Sequence, residues 1–199
     1  MKSKADSPGA TSQDLTGYEL LVGVGGGIAA YKVCHVVSRL VQRGCGVTVT
    51  MTDAATRFVG PLTFQALTAR QVFTSIWPEG GYSDQQHIRL SETADLFLVA
   101  PCTADLIGKF AAGLSDDLVT TLMLGRDCPA VFAPAMNTRM WENQIVQRNL
   151  TMLKDAGMST IEPAEGWLAC RTIGQGRMAE PDTIIDQVVS QLKRSKPRK

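Results

Sequence analysis

What the sequence lacks narrows it first. Only two of its 199 residues are histidine, His35 and His87, so a metal site would have to lean on cysteine or carboxylate ligands. The five cysteines, Cys34, Cys45, Cys102, Cys128 and Cys170, are odd in number and form no Cys-x-x-Cys pair. Without tight ligand spacing no metal is expected, and the thiols read as reduced, as in a cytosolic protein. No apolar run approaches the roughly 20 residues that a membrane span needs. Residues 1–17 are polar, lack the apolar core of a signal peptide and read as a disordered lead-in. The formal net charge is only +1, so neither nucleic acid nor a membrane surface is expected as a partner. The cations Lys193, Arg194, Lys196, Arg198 and Lys199 read as a solvated end, with 195–199 as a basic tail.

What is present suits one soluble α/β domain, expected over 18–194: 44% of residues are hydrophobic and 20% charged. Glu19 to Val24 reads as a buried strand, followed by Gly25-Gly26-Gly27 and a helix with Val33, Val36, Val37, Leu40 and Val41 on one stripe. Val47 to Met51 is β-branched and alternating, as a second strand should be. Pro61 to Ala69 predicts a short helix, and Gln71 to Ser75 a further strand. Leu96 to Ala100 is a continuous apolar run, which marks a central parallel strand. Ala130 to Ala133 is another, and one helix is expected after it through Trp141, Ile145, Leu150 and Leu153. A last helix starts at Asp182. Strands and helices in alternation predict a single Rossmann-like (flavodoxin-like) doubly wound parallel sheet with helices on both faces.

Polar or glycine clusters close four of these strands. In such a sheet the carboxyl ends of the strands are where ligands bind. The Gly25–Gly27 turn lets backbone N–H groups approach an anion at a helix N-terminus, or serves only as a tight turn. It is neither a full Gly-x-Gly-x-x-Gly nor a P-loop. Thr52-Asp53 can add hydroxyl hydrogen bonds to a phosphate, cap a helix, or do both. Thr103-Ala104-Asp105 closes the third strand. Asn137 sits at a strand-to-helix junction, where it can cap the helix or offer its amide to an anionic or carbonyl group. Residues 163–180 mix glycines, large apolar residues and Cys170 in a long loop, which is expected to be functional and able to move as a lid. His87 follows a glycine-bearing loop; a lone histidine is more often structural than catalytic, though its pKa lies nearest neutrality. One rim lined in this way fits a flat, phosphate-bearing cofactor better than a metal.

Particular strings carry a resemblance from about Tyr18 to Leu192. They are Gly-Gly-Gly-Ile-Ala-Ala-Tyr-Lys (25–32), His-Ile-Arg-Leu (87–90), Ala-Pro-Cys-Thr-Ala-Asp (100–105), Pro-Ala-Met-Asn-Thr-Arg-Met-Trp (134–141), Leu-Ala-Cys (168–170) and Gly-x-Gly-Arg-Met (174–178). On these the chain resembles the flavin-dependent cysteine decarboxylases, and within them the branch that acts on phosphopantothenoylcysteine in coenzyme A synthesis. The resemblance implies FMN as cofactor, with Gly26, Gly27, Ile28, Ala29, Thr52, Asp53 and Ala54 at its phosphate region. Thr103, Ala104, Asp105, Leu106 and Ala135 would continue the flavin site. It implies His87 as the active-site histidine, Asn137, Met140 and Ala169 in substrate recognition, and Cys170 as the acid of the reductive step on a clamp. It also implies a homotrimer or dodecamer with FMN between subunits, and functional coupling to a phosphopantothenate–cysteine ligase. The family has glycine and an acid after the clamp cysteine; here Arg171 and Thr172 stand there.

The implied reaction oxidises the cysteine side chain to a thioaldehyde, loses carbon dioxide and re-reduces the ene-thiol. Three relatives of other activity are weighed against this. A peptidyl-cysteine decarboxylase would stop at the ene-thiol and lack the clamp cysteine. A flavin prenyltransferase would not carry Pro-Ala-Met-Asn. A non-enzymatic regulatory relative tends to carry long acidic additions, which this sequence does not have.

Overall fold

The six central strands all run parallel, in the order β3-β2-β1-β4-β5-β6. This is the order of the doubly wound dinucleotide-binding folds, in which the chain reverses direction across the sheet between the first and fourth strands. The structure, a computed structural model, describes residues 13–77 and 86–198, with Gln86 and His87 described in backbone only. In chain order the elements are β1 (Glu19–Val24), α1 (Ala30–Gln42), β2 (Gly46–Met51), α2 (Asp53–Thr56), α3 (Pro61–Thr68), β3 (Val72–Phe73) and α4 (Gln86–Thr93). There follow β4 (Leu96–Cys102), α5 (Ala104–Ala112), α6 (Leu118–Gly125), β5 (Ala130–Pro134), α7 (Thr138–Trp141) and α8 (Gln144–Asp155). The chain closes with β6 (Ser159–Thr160), β7 (Ala164–Trp167), β8 (Ile173–Arg177) and α9 (Pro181–Leu192).

Alternation along β1 divides the core. Leu20, Val22 and Val24 point into one layer with Val33, Val36, Val37 and Leu40 of α1 and Ile184 and Val188 of α9. Leu21 joins the opposite layer with Phe97, Ile107, Val119, Leu122 and Phe132. Both faces are therefore sealed, which is why β4 is apolar at every position and buried throughout. Each fully buried Leu, Ile or Phe contributes roughly 1.5–3 kcal/mol relative to exposure, so these two layers supply most of the stabilisation. Gly23 has a packing reason: a Cβ there would stand 3.0 Å from both Phe97 and Val119.

Four expectations need correction. Residues 13–17 are a turn belonging to the fold: Leu15 is fully buried, and Asp14 pairs with Arg43 and Lys193. The basic tail is not a loose solvated end. Tyr18 donates to the Ser195 carbonyl at 2.9 Å, and Arg198 pairs with Asp127 and donates its N–H to Asp95. The single helix expected after Asn137 is two, because Asn143 accepts from the Ile145 N–H and starts α8 afresh; Ile145 is exposed. The segment 163–180 is not a structureless loop but an antiparallel ribbon, β7 paired with β8. Gln86–Thr93, to which the sequence pattern gave no element, is helical.

Candidate functional site

The site lies at the switch between β1 and β4. Gly25 donates to the Pro101 carbonyl at 3.2 Å, tying the glycine turn to the end of β4. The turn is tight for steric reasons. A Cβ on Gly26 would lie 2.9 Å from the Ala54 carbonyl carbon, and one on Gly25 would meet Leu106 at 2.8 Å. Gly27 is different: its nearest neighbours, Pro101 and Thr103, would be 3.9 Å from an added Cβ, so its open side faces the cleft. The N–H groups of Gly26, Gly27, Ile28 and Ala29 have no hydrogen-bond partner among the described residues. Four successive unpaired donors at the start of α1 form a cradle for an anion, with the helix dipole adding to it. Thr52 and Thr103 flank it. Each hydroxyl oxygen accepts a capping N–H, from Ala55 at 3.2 Å and Leu106 at 3.3 Å, which leaves each O–H able to donate outward. These residues fit a phosphate-bearing flavin.

The cleft itself encloses about 600 Å³ and is walled by the glycine turn and α1 on one side, and by the β5–α7 turn and the ribbon on the other. Of the residues expected at the site, Gly27, Ile28, Ala29, Ala135, Asn137, Ala169 and Cys170 line it together. Gly26, Ala54 and Leu106 pack behind the turn and shape it. Thr52, Asp53, Thr103 and Ala104 stand at the first turns of α2 and α5. Two expected residues stand apart. Asp105 directs its carboxylate to Lys109, 3.4 Å away along its own helix. Met140 is not part of the cleft wall; its N–H donates to Asn137 Oδ1. His87 occupies the second position of α4, and its side chain lies outside the described residues.

Asn137 proves to be a cap: its Oδ1 accepts from the Met140 N–H at 3.0 Å. That uses only the oxygen. The Nδ2 group donates to nothing among the described residues, and Asn137 lines the cleft, so the cap leaves a free donor on a residue of the cleft wall.

The ribbon is pinned to the same turn. Met136 donates to the Gly176 carbonyl at 2.8 Å, and Thr138 to the Gln175 carbonyl at 2.9 Å. At its far end Leu168 donates to the Thr172 carbonyl at 2.8 Å and Arg171 to the Leu168 carbonyl at 2.9 Å, closing a tight tip that carries Cys170. Arg171 takes φ +64° there, the left-handed region that glycine occupies without strain. Cys170 is the exposed thiol of the five. Burial pushes the others up, Cys45 to about 12, and raises Cys34, Cys102 and Cys128 as well.

Two cleft residues carry charges to which sequence reasoning gave no role. Lys32 and Arg177 both reach Glu180, at 3.1 and 2.6 Å. Lys32 was traceable: it lies one helical turn beyond Ile28, on the cleft side of α1. Among the described residues no group of three or more metal-ligating side chains occurs, and no helix is long and apolar enough to cross a membrane.

A flavoprotein family profile matches residues 8–193 of this sequence. The chain belongs to the flavoprotein family. It is 47% identical over 171 residues to the coenzyme A biosynthesis bifunctional protein CoaBC of Bacillus subtilis strain 168, covering 86% of this chain and 42% of that one. The flavoprotein thus spans a little under half the length of the bifunctional relatives it matches. It is 42% identical over 176 residues to a probable phosphopantothenoylcysteine decarboxylase of Streptococcus mutans, covering 87% of this chain and 98% of that protein. Among solved structures, a cysteine-to-serine mutant of PPC decarboxylase complexed with pantothenoylaminoethenethiol superposes with a TM-score of 0.78 at 30% identity, covering 88% of this chain and 98% of that one.

Proposed function

We propose that this flavoprotein decarboxylates 4′-phospho-N-pantothenoyl-L-cysteine to 4′-phosphopantetheine in coenzyme A biosynthesis, with FMN as its cofactor. The observation that carries the reading is the joint placement of Asn137, Cys170 and the glycine turn on one cleft. The near full-length match to the Streptococcus relative supports the same reaction.

Gly26, Gly27, Ile28 and Ala29 would hold the flavin phosphate, with Thr52 and Thr103 beside them. The α-carboxylate of an amidated cysteine has no electron sink, and a bound flavin supplies one by accepting and later returning a hydride. The Nδ2 of Asn137, held by its cap, donates to the substrate carboxylate and fixes the Cα–carboxylate bond in the cleft. Once carbon dioxide has left, the ene-thiol needs a proton at carbon. Cys170, on the ribbon tip that borders the cleft, supplies it as a thiol. His87 is proposed to assist proton movement at the cysteine end, with Asp53, Ala54, Asp105, Leu106 and Ala135 completing the flavin site and Met140 and Ala169 the substrate site.

The functional domain is proposed as 18–194, with 163–180 as its clamp. The proposal extends to a cytoplasmic homotrimer or dodecamer, and to coupling with a phosphopantothenate–cysteine ligase, which the bifunctional nature of the Bacillus relative supports. Mass spectrometry of the product from phosphopantothenoylcysteine tests the reaction. Wild type should release the saturated aminothiol. Cys170→Ser should bleach its flavin once and stall with a product about two hydrogens lighter, because a serine hydroxyl is a far weaker acid. Repeated turnover to the saturated product by Cys170→Ser would remove Cys170 from the reaction.

A further inference from the structure

We infer that Lys32 and Arg177 form the subsite for the phosphate monoester of the substrate, and so select phosphorylated over unphosphorylated pantothenoylcysteine; the inference deepens the proposed function and rests on it. They are the only charged side chains among the described residues that line the cleft, and both are cations. They stand on its opposite walls, Lys32 on α1 and Arg177 at the anchored end of β8. One carboxylate joins them: Glu180 accepts from Lys32 at 3.3 and 3.1 Å and pairs with Arg177 at 2.6 Å. Two cations against one anion leave one positive charge uncompensated there. The Lys32 side chain is only 12% exposed, although withdrawing an ammonium from water is costly unless it is paired. Arg177 is placed by a close approach: it crosses Gly166 of β7, where an added Cβ would lie 2.8 Å from its Nη1 and 3.2 Å from its Cδ.

The substrate has two anionic ends, and the cleft has a place for each. The α-carboxylate goes to Asn137 and the cysteine carbons to Cys170, so the phosphate lies at the other end of the bound molecule. In phosphopantothenoylcysteine about eleven bonds separate phosphorus from the cysteine α-carbon, about 13 Å when extended. The ribbon offers a matching span: Ile173 and Arg177 end β8 about 13 Å apart along the strand, and the tip with Cys170 lies beyond Ile173. A phosphate monoester carries about −1.5 to −2 charge at neutral pH, more than the Glu180 carboxylate it would meet, and presents three acceptor oxygens. Arg177 brings a planar fork of donors to such a group and Lys32 a compact charge. An unphosphorylated arm offers neither the charge nor the acceptors, so the two cations gain nothing from it.

The test compares 4′-phosphopantothenoylcysteine with unphosphorylated pantothenoylcysteine as substrates of the flavin-loaded enzyme and reads the ratio of their kcat/KM values. Wild type should favour the phosphorylated form. Arg177→Gln and Lys32→Gln should each lower the ratio by about ten- to a hundredfold, mainly through KM, the scale for losing a hydrogen bond to a charged group. Glu180→Gln separates this role from a structural one. If the three side chains only brace the ribbon against α1, it should behave like the other two variants. At a phosphate site it acts in the opposite sense, because it removes the competing anion and leaves both cations, so the ratio should hold or rise. Should a variant turn over too slowly to measure, calorimetric affinities for 4′-phosphopantetheine against pantetheine give the same comparison. Equal preference in wild type, or a lowered ratio in Glu180→Gln, overturns the inference. So does an Arg177→Gln or Lys32→Gln protein that loses flavin affinity but keeps the ratio, which would give the cations to the flavin phosphate. A wild type that decarboxylates neither compound would overturn the functional reading instead.

Discussion

Asn137 performs its capping and its proposed binding role with opposite ends of one amide. Oδ1 holds the Met140 N–H, while Nδ2 donates to nothing among the described residues and the residue lines the cleft. Asn137→Asp separates the two. Aspartate caps as well as asparagine, so thermal stability should stay within about 0.5 kcal/mol. The new carboxylate would instead oppose the substrate's own. Two like charges about 4 Å apart repel by about 1–4 kcal/mol between aqueous and near-surface dielectric conditions, so kcat/KM should fall by about five- to several-hundred-fold. Thermal denaturation together with steady-state kinetics would check both arms; unaltered kinetics would leave Asn137 as a cap alone. This residue was legible in the sequence because its signal is local: a side-chain amide between an apolar strand and a helical pattern. Cys170 was legible because its neighbours are glycines and large apolar residues in a segment too long for a plain connection. Lys32 was traceable by its place on α1, but the ion pair that holds it was not, because its partner Glu180 lies 148 residues away in the chain.

Among the elements, the strands were the most legible and the clamp the least. β1, β4 and β5 are apolar runs whose burial on both faces leaves no other reading. The ribbon gives no such sign. Ala-Glu-Gly-Trp and Ile-Gly-Gln-Gly-Arg neither alternate nor favour strand, and glycine weakens a strand interior. Its pairing is fixed by tertiary anchors instead, the bonds from Met136 and Thr138. The break between α7 and α8 was hidden for a related reason: Asn143 restarts the helix in mid-pattern, and the periodic apolar residues run past it. The glycine turn was legible as a turn but not in the division of labour within it, which rests on contacts to Ala54 and Leu106. That division yields a prediction. Gly27→Ala adds a Cβ with 3.9 Å of room behind it, so the fold should keep its thermal midpoint. The methyl group would stand where the flavin phosphate approaches the backbone, and flavin affinity should drop by at least about tenfold, the equivalent of about 1.4 kcal/mol. Quenching of flavin fluorescence on titration measures it. Unchanged affinity would mean that the turn serves the sheet and not the cofactor.

At the scale of the whole molecule, the two core layers account for the interior but not for one side of the surface. Ile28 and Tyr31 of the α1 end, Phe58 and Leu62 around α3, and Trp77 all expose large apolar side chains; Leu62 is 74% and Trp77 82% exposed. α1 and α3 pack against one another, which puts Tyr31 and Leu62 on one flank of the molecule, and Ile28 and Tyr31 also line the cleft. Single exposed apolar residues are ordinary, whereas several on one flank of a small domain mark a surface that is covered in use. The family resemblance proposes what covers it: further copies of this chain, with the cofactor bound between them. The expected outcome is a light-scattering mass of three times the 21.5 kDa chain, or a multiple of that trimer. Leu62→Glu places a charge on that flank without touching the buried layers. If the flank is a subunit contact, the variant should dissociate toward single chains on dilution, because assembly follows mass action, and should lose flavin in step with it. A wild-type protein that scatters as a single chain and still turns over fully would overturn the shared-site assembly, and would leave the exposed flank to be explained by a different partner.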